Sequence, residues 1–294
     1  MRPGKVLRDG PWPEGQPCWV EVQVGHVERA SAFYGQLFGW TYLDHGPDYQ
    51  HYLTARLDGR AVADIGPRPA GVTDEGPAAW LVCFAVESTD AAAERITRAG
   101  GTLLLPPLDV GTHGRFAVAA DPAGAQFAVW QAREYAGTQI AGVAGAVVWH
   151  HCLSTDLAAS LAFYAAVFGH TVSRPAGPDG ERHLLLKLDG RPVAGIGEVG
   201  ADESAEISSH WRVRFGVGDL ETALKTITEL GGTLHEGPFG TAQGRCARVA
   251  DEQGTPFEVL EVGISVAMQT NPTYSSLVAV GDSFTEGMSD VMPD

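Results

Sequence analysis

The chain has 294 residues, enough for two domains that each bury a core, and its 44% apolar residues exclude a disordered polymer. Twenty Lys and Arg stand against 36 Asp and Glu, giving a net charge of −16. That balance repels a nucleic-acid backbone and an anionic membrane surface.

The N-terminal MRPGKVLRDG lacks an apolar signal core, and no run is long enough to span a bilayer, so a cytoplasmic protein is expected. Its four cysteines are widely spaced and form no CxxC pair, which reads as free thiols. Cys83 and Cys152 lie in apolar runs and are expected to be buried as small hydrophobes.

After an N-terminal extension over 1–13, alternation predicts a strand over Trp19 to Val24. Apolar residues at helical spacing then run from Glu28 to Phe38 and stop at Gly39. Two strands follow, His51 to Leu57 and Ala61 to Ile65, joined by the hairpin pair Asp58-Gly59. Leu81 to Val86 opens another strand, and Asp90 to Ala99 another helix that ends at Gly100-Gly101. Strands over Thr102 to Leu105, Phe116 to Ala119 and Gln126 to Trp130 complete the first half.

The second half repeats the first. AFYGQLFGW begins at Ala32 and AFYAAVFGH at Ala162; LDGRAVADIG begins at Leu57 and LDGRPVAGIG at Leu188. AGGTLLLPP at Ala99 matches LGGTLHEGP at Leu230, and DPAGAQFAVW at Asp121 matches DEQGTPFEVL at Asp251. Four segments in one order at offsets of 130 or 131 define an internal duplication. Each half reads as βαβββ twice, so the fold class is α+β with four such units. The expected domains are 14–136 and 145–263, joined by a small-residue linker over 137–144.

The helix carrying AFY before FG, the LDGRPVAGIG hairpin and the D-P-x-G-x-x-F-x-V strand resemble vicinal-oxygen-chelate domains of the tandem glyoxalase-like type. That superfamily holds glyoxalases, bleomycin-resistance proteins and extradiol dioxygenases. The resemblance implies open, cleft-forming barrels with a ligand in each concave face. It also implies a divalent metal held by His, Gln or Glu on the strands. In this chain the first-strand slots hold Trp19 and Trp149, and the last-strand slots hold Ala128 and Glu258. The middle slots fall at Ala63 or Asp64 with Leu81, and at Ala194 or Gly195 with Arg212. So few ligands predict a metal-free first domain and no required cofactor. A divalent metal in the second domain, on His151 and Glu258, stays as the alternative.

Alternation places Trp19, Glu21, Gln23, Cys83 and Trp130 toward the first cleft. It places Trp149, His151, Arg212, Arg214, Glu258 and Leu260 toward the second. Tryptophan walls around few polar groups suit an apolar or aromatic metabolite. Glu21, His151 and Glu258 are the candidate catalytic residues. Glu21 reads equally as a base, a cation anchor or a salt-bridged core residue. Arg212 and Arg214 either hold a ligand anion or neutralise Glu258. Arg115 and Arg245, in GTHGR and GTAQGR, are candidates for the cleft rims.

The domains are expected to pack on one another, and pairing of whole chains as a homodimer is left open. In the tail, 264–294, YSSLVAVGDSFTEG resembles the opening block of SGNH hydrolases, with Ser283 at the nucleophile position. The tail is expected to be disordered and to lack the rest of that machinery.

Overall fold

The computed structural model describes residues 4–69, 76–175, 183–200, 208–241 and 243–263. The SGNH-like tail lies outside them. A two-residue strand β1 (Val6–Leu7) precedes the first unit, which runs β2 (Pro17–Val24), α1 (Val27–Phe38), β3 (Thr41–Asp44), β4 (Leu53–Leu57) and β5 (Arg60–Pro67). The next unit runs β6 (Leu81–Ala85), α2 (Thr89–Arg98), β7 (Thr102–Val110), β8 (Gly114–Ala120) and β9 (Gln126–Ala132). After β10 (Ile140–Ala141) come β11 (Val147–Ser154), α3 (Leu157–Phe168), β12 (Thr171–Ser173), β13 (His183–Leu188) and β14 (Arg191–Glu198). The last unit is β15 (His210–Val217), α4 (Leu220–Glu229), β16 (Thr233–Thr241), β17 (Gly244–Ala250) and β18 (Pro256–Glu261). The four βαβββ units are present as expected.

Each pair of units forms one open eight-stranded sheet, ordered β3-β4-β5-β2-β6-β9-β8-β7 and β12-β13-β14-β11-β15-β18-β17-β16. At the sheet centre β2 pairs parallel with β5 and antiparallel with β6, and β6 pairs parallel with β9. These pairings bring residues far apart in sequence side by side at the floor of each concave face.

Local chemistry explains the elements. Gly39 and Gly169 end α1 and α3 at φ 73 and 71, where a side chain would be strained. The hairpin pairs Asp58-Gly59 and Asp189-Gly190 all have positive φ, as a tight I′ turn requires. Ser88, Asp156 and Asp219 cap α2, α3 and α4 through their side chains, whereas His26 at the start of α1 makes no such bond. Two details differ from the expected elements. Tyr49 ends a 3-10 turn over Pro47–Tyr49, and Gln50 and His51 have positive φ, so the strand begins at Leu53 instead of His51. The short, mostly exposed β3 lacks the alternation that would reveal it.

The helix-bearing faces of the two sheets share one core. Val20, Val22 and Val24 of β2 belong to the same buried cluster as Phe168, Phe215 and Phe257 from the second half. Aromatic rings cross the junction: Phe84 lies 4.7 Å from Phe168, and Phe38 lies 5.1 Å from Phe215. Both repeat aspartates also reach across. Asp121 Oδ1 accepts from the Ala123 and Ala125 amides of its own turn, while Oδ2 accepts from Ser160 Oγ of α3 at 2.7 Å. Asp251 Oδ1 accepts from Gln253 and Thr255 amides, and its Oδ2 accepts from Tyr34 Oη of α1 at 2.9 Å. Domain packing within the chain is therefore extensive.

The segment expected to be a flexible linker is tied down instead. Thr138 and Gln139 amides donate to Cys18 and Ala61 carbonyls, and β10 pairs with β1. Its glycines are required by close approach: a Cβ on Gly142 would meet the Gly4 carbonyl at 2.0 Å. Among the described residues no helix is long and apolar enough to cross a membrane.

Candidate ligand clefts

The concave face of the first sheet gathers Trp19, Glu21 and Gln23 from β2, as alternation predicts. Register sets Glu21 opposite Asp64 of β5 and Leu81 of β6, with Cys83 beside Ala128 of β9. Asp64 is fully engaged: Trp19 Nε1 donates to Oδ2 at 3.1 Å and Thr54 Oγ1 to Oδ1 at 2.6 Å. Gln23 Nε2 donates to Tyr52 Oη at 2.6 Å. Glu21 makes no ion pair among the described residues, and its nearest charged neighbour is a second carboxylate. Burial, then repulsion from Asp64, pushes Glu21 up to about 8. Burial raises Asp64 to about 7 against the pull of its two hydrogen bonds. The salt-bridged reading of Glu21 thus gives way to an acid pair.

The first cleft is largely filled by its own side chains. Trp19, Cys83 and Ala128 form a small buried cluster, packed by Trp130, Phe116 and Tyr135. Tyr135 stands edge-on to Trp19 at 5.1 Å, and its carbonyl accepts from Trp130 Nε1 at 2.9 Å. Cys83 is buried, and so is Cys152, as expected; burial first of all raises both thiols well above the usual range.

The second concave face holds an open cavity of about 570 Å³. Trp149 and His151 of β11, Arg212 and Arg214 of β15 and Glu258 of β18 all line it. The same register that pairs Glu21 with Asp64 pairs His151 with Gly195, and a glycine is needed there. A Cβ on Gly195 would lie 2.2 Å from His151 Nδ1. The His151 ring meets that of His183 perpendicularly at 4.6 Å, and its Nε2 is buried without a hydrogen-bond partner. Burial, then His183 and the nearby arginines, holds His151 well below the usual imidazole range, so it is neutral at pH 7.

Glu258 is 3% exposed and sits among three guanidiniums. Arg214 reaches its Oε2 with Nε at 2.7 Å and Nη2 at 2.6 Å. Arg248 Nε lies 3.5 Å and Arg212 Nη1 3.8 Å from Oε1. Arg214 Nη1 also donates to Gln243 Oε1 at 2.6 Å. The two arginines therefore do neutralise Glu258, and a third joins them. Arg248, Gln243 and His183 were not singled out by sequence reasoning; alternation along β17 back from Asp251 marks Arg248, whereas Gln243 and His183 carry no signal. Leu260 instead packs with Val148 and Cys246. Arg115 of β8 and Arg245 of β17 instead pair with the first turns of α2 and α4, with Asp90 at 2.9 Å and Glu221 at 2.5 Å respectively, and do not line the open cavity.

The metal implied by the resemblance does not fit these donors. In the second cleft one slot is an arginine, one is Trp149, one is Gly195, and the carboxylate of the last is held by guanidiniums. A cation at Glu258 would have to displace three positive side chains. His151 lines this cavity as a neutral imidazole, and the Glu258 carboxylate is held by arginines. Among the described residues no three His, Cys, Asp or Glu converge as a ligand group.

Two sheets of paired βαβββ units with a cleft on each concave face define a tandem glyoxalase-type protein. The chain belongs to the glyoxalase/bleomycin resistance protein/dioxygenase superfamily: that superfamily's profile matches residues 17–129, and the glyoxalase-like domain profile matches 148–260. It is 34% identical over 260 residues to the anthracycline biosynthesis protein DnrV of Streptomyces peucetius, covering 84% of this chain and 94% of that protein. It is also 34% identical over 251 residues to the putative glyoxylase CFP32 of Mycobacterium tuberculosis, covering 84% and 95%. Among solved structures, the Mn(II)-bound glyoxalase from Novosphingobium aromaticivorans matches with a TM-score of 0.59 at 16% identity, over 85% of this chain and 82% of that one. The 2,3-dioxygenase LapB from Pseudomonas sp. KL28 matches at 0.57 and 18%, over 85% and 92%. These two likenesses concern the fold alone.

Proposed function

We propose that the chain binds an aromatic metabolite in its second cleft, without a divalent metal. The observation that carries this reading is a cavity of about 570 Å³ beside Trp149 in which the carboxylate of a metal slot is already held by Arg214. That volume falls within the range of roughly 300–1,000 Å³ for sites of small ligands. An indole supplies broad apolar contact at little entropy cost, while His151 and the arginines supply orientation. The first cleft, filled by Trp130 and Tyr135, serves this reading as a packed partner. Relatives named for anthracycline biosynthesis agree with an aromatic ligand.

The competing reading, a metal-dependent lyase or dioxygenase in the second domain, requires His151 and Glu258 to share a cation, which the arginines oppose. The test is a titration of aromatic compounds into the full chain, read by tryptophan fluorescence and calorimetry with and without EDTA. Binding that is unchanged by EDTA and weakened about ten-fold or more by Trp149→Ala is expected. Binding or turnover that appears only after adding manganese or iron, and disappears in His151→Ala, would restore the metal reading.

A further inference from the structure

Two segments that belong to no βαβββ unit meet at the second cavity. One is the N-terminal strap ahead of β2; the other is the connection between β9 and β11. Gly4, Val6 and Trp12 of the strap line the cavity beside Trp149, together with Thr138, Ala141 and Gly142 of the connection. The strap leads into the first sheet, yet it completes a site on the second. Its hold is mostly backbone. Val6 pairs with Ala141 and Leu7 with Ile140, and the Arg8 amide donates to the Gln139 carbonyl at 3.0 Å. Trp12 Nε1 donates to the Thr138 carbonyl at 2.9 Å, and Asp9 pairs with Arg60 of β5 at 2.7 Å. A ribbon of two such short strands is not stable alone, so these anchors place it.

Resting on the reading above, we infer that the N-terminal strap is the specificity-determining wall of the second cavity, with Val6 packed on the apolar body of the aromatic ligand and covered by it.

Three observations support this. Val6 is 40% exposed and lines the cavity, whereas its neighbour Leu7, 52% exposed, is not among the lining residues. Alternation along a strand sends the two side chains to opposite faces, so β1 turns one apolar group toward the ligand space. The first cleft gives the contrast. There the segment beyond β9 brings Tyr135, whose ring stands against Trp19 and stops the face. At the second cavity the covering strap brings Gly4 and Val6, which wall the space without filling it. Finally, the division of chemistry is that of a ligand pocket. The strands supply a few polar groups in His151, Arg214 and Glu258, and the strap supplies apolar surface whose removal from water favours binding. A wall outside the sheets can vary without disturbing the core.

The experiment titrates 6-propionyl-2-(dimethylamino)naphthalene, a neutral aromatic whose emission moves to the blue in apolar surroundings, into the full chain in EDTA. Trp149→Ala ties the signal to this cavity by weakening it about ten-fold, as the reading above requires. Val6→Asp sets a carboxylate against the apolar body of the probe and should weaken binding about ten-fold. Leu7→Asp, on the same strand but turned away, should stay within about two-fold of the native chain. Urea midpoints of both strap variants should match that of the native chain, since both side chains are exposed. Should Val6→Asp fail to fold, Val6→Ala takes its place, with a loss of about three-fold expected.

Native affinity in Val6→Asp, with Trp149→Ala still weakened, would overturn the strap inference and leave the metal-free aromatic reading standing. Equal weakening by Val6→Asp and Leu7→Asp would also overturn it, because loss of β1 and not of a ligand contact would then be responsible. No binding of the probe by the native chain, together with no fluorescence response to any other neutral aromatic, would overturn both.

Discussion

Removing the carboxylate of Glu258 should destabilise the protein far more than its single position suggests. Glu258 is 3% exposed and receives two short contacts from Arg214, with Arg248 and Arg212 within 3.8 Å. At an effective dielectric of about 20, one unit charge pair at ~4 Å is worth about 4 kcal/mol. Glu258→Ala leaves the buried Arg214 guanidinium without its carboxylate, and breaking a buried pair from one side costs about 3–5 kcal/mol. The first domain shows how the same positions pack without charge, since Cys83 and Ala128 stand where Arg214 and Glu258 do. The double variant Arg214→Cys with Glu258→Ala should therefore recover about half or more of the loss, although Arg248 and Arg212 remain. The assay is urea unfolding at equilibrium, followed by fluorescence and circular dichroism together, across the full double-mutant cycle. A coupling energy near zero, with the two single losses simply adding, would refute the reasoning.

Other consequences follow from features of the two sheets. Tyr34→Phe removes the hydroxyl that donates to Asp251 across the junction, and a buried bond to a charged acceptor is worth about 1.5–3 kcal/mol, read as a lower urea midpoint. Gly195→Ala places a methyl against His151 and should cost about 1–3 kcal/mol by overpacking, with loss of the Trp149 fluorescence response to ligand; an unchanged midpoint would contradict the close approach. The acid pair sets a pH dependence. Folding raises Glu21 from 4.5 to about 8 and Asp64 from 3.8 to about 7, so the folded state holds more protons than the unfolded one in that window. Their contribution is complete below about pH 4 and is lost as pH rises through about 7 to 8. Urea midpoints measured from pH 5 to 9 should fall across this window, and Glu21→Gln should flatten the fall.

Much of the architecture was legible because it is periodic or duplicated. The alternation Trp19-Val20-Glu21-Val22-Gln23-Val24 sorts the two faces of β2 without reference to any other strand. The DG pairs and the glycines after Phe38 and Phe168 mark turns by local steric need. What stayed hidden depends on register between distant segments. Nothing near Glu21 in sequence announces Asp64 as its neighbour; only the parallel pairing of β2 with β5 does that. The same holds for Arg248 beside Glu258, which pair across β17 and β18. Asp121 and Asp251 read as turn residues, and their Oδ1 atoms bear that out; their Oδ2 bonds to the opposite half have no local signature. The 3-10 turn at Pro47–Tyr49 was missed because apolar Tyr49 and Tyr52 mimic an extended run.

The crossed bonds of the two repeat aspartates have the pattern of a two-fold axis: α3 of the second half binds the turn of the first, and α1 of the first binds the turn of the second. In a symmetric dimer such an interface is self-complementary, and each copy needs the other to cover its helices. Here both copies are one polypeptide, so the two halves are free to diverge where they do not touch. A half whose concave face is stopped with its own tryptophan and tyrosine still contributes the apolar wall on which its neighbour folds. Losing a pocket on one side therefore need not unfold the other.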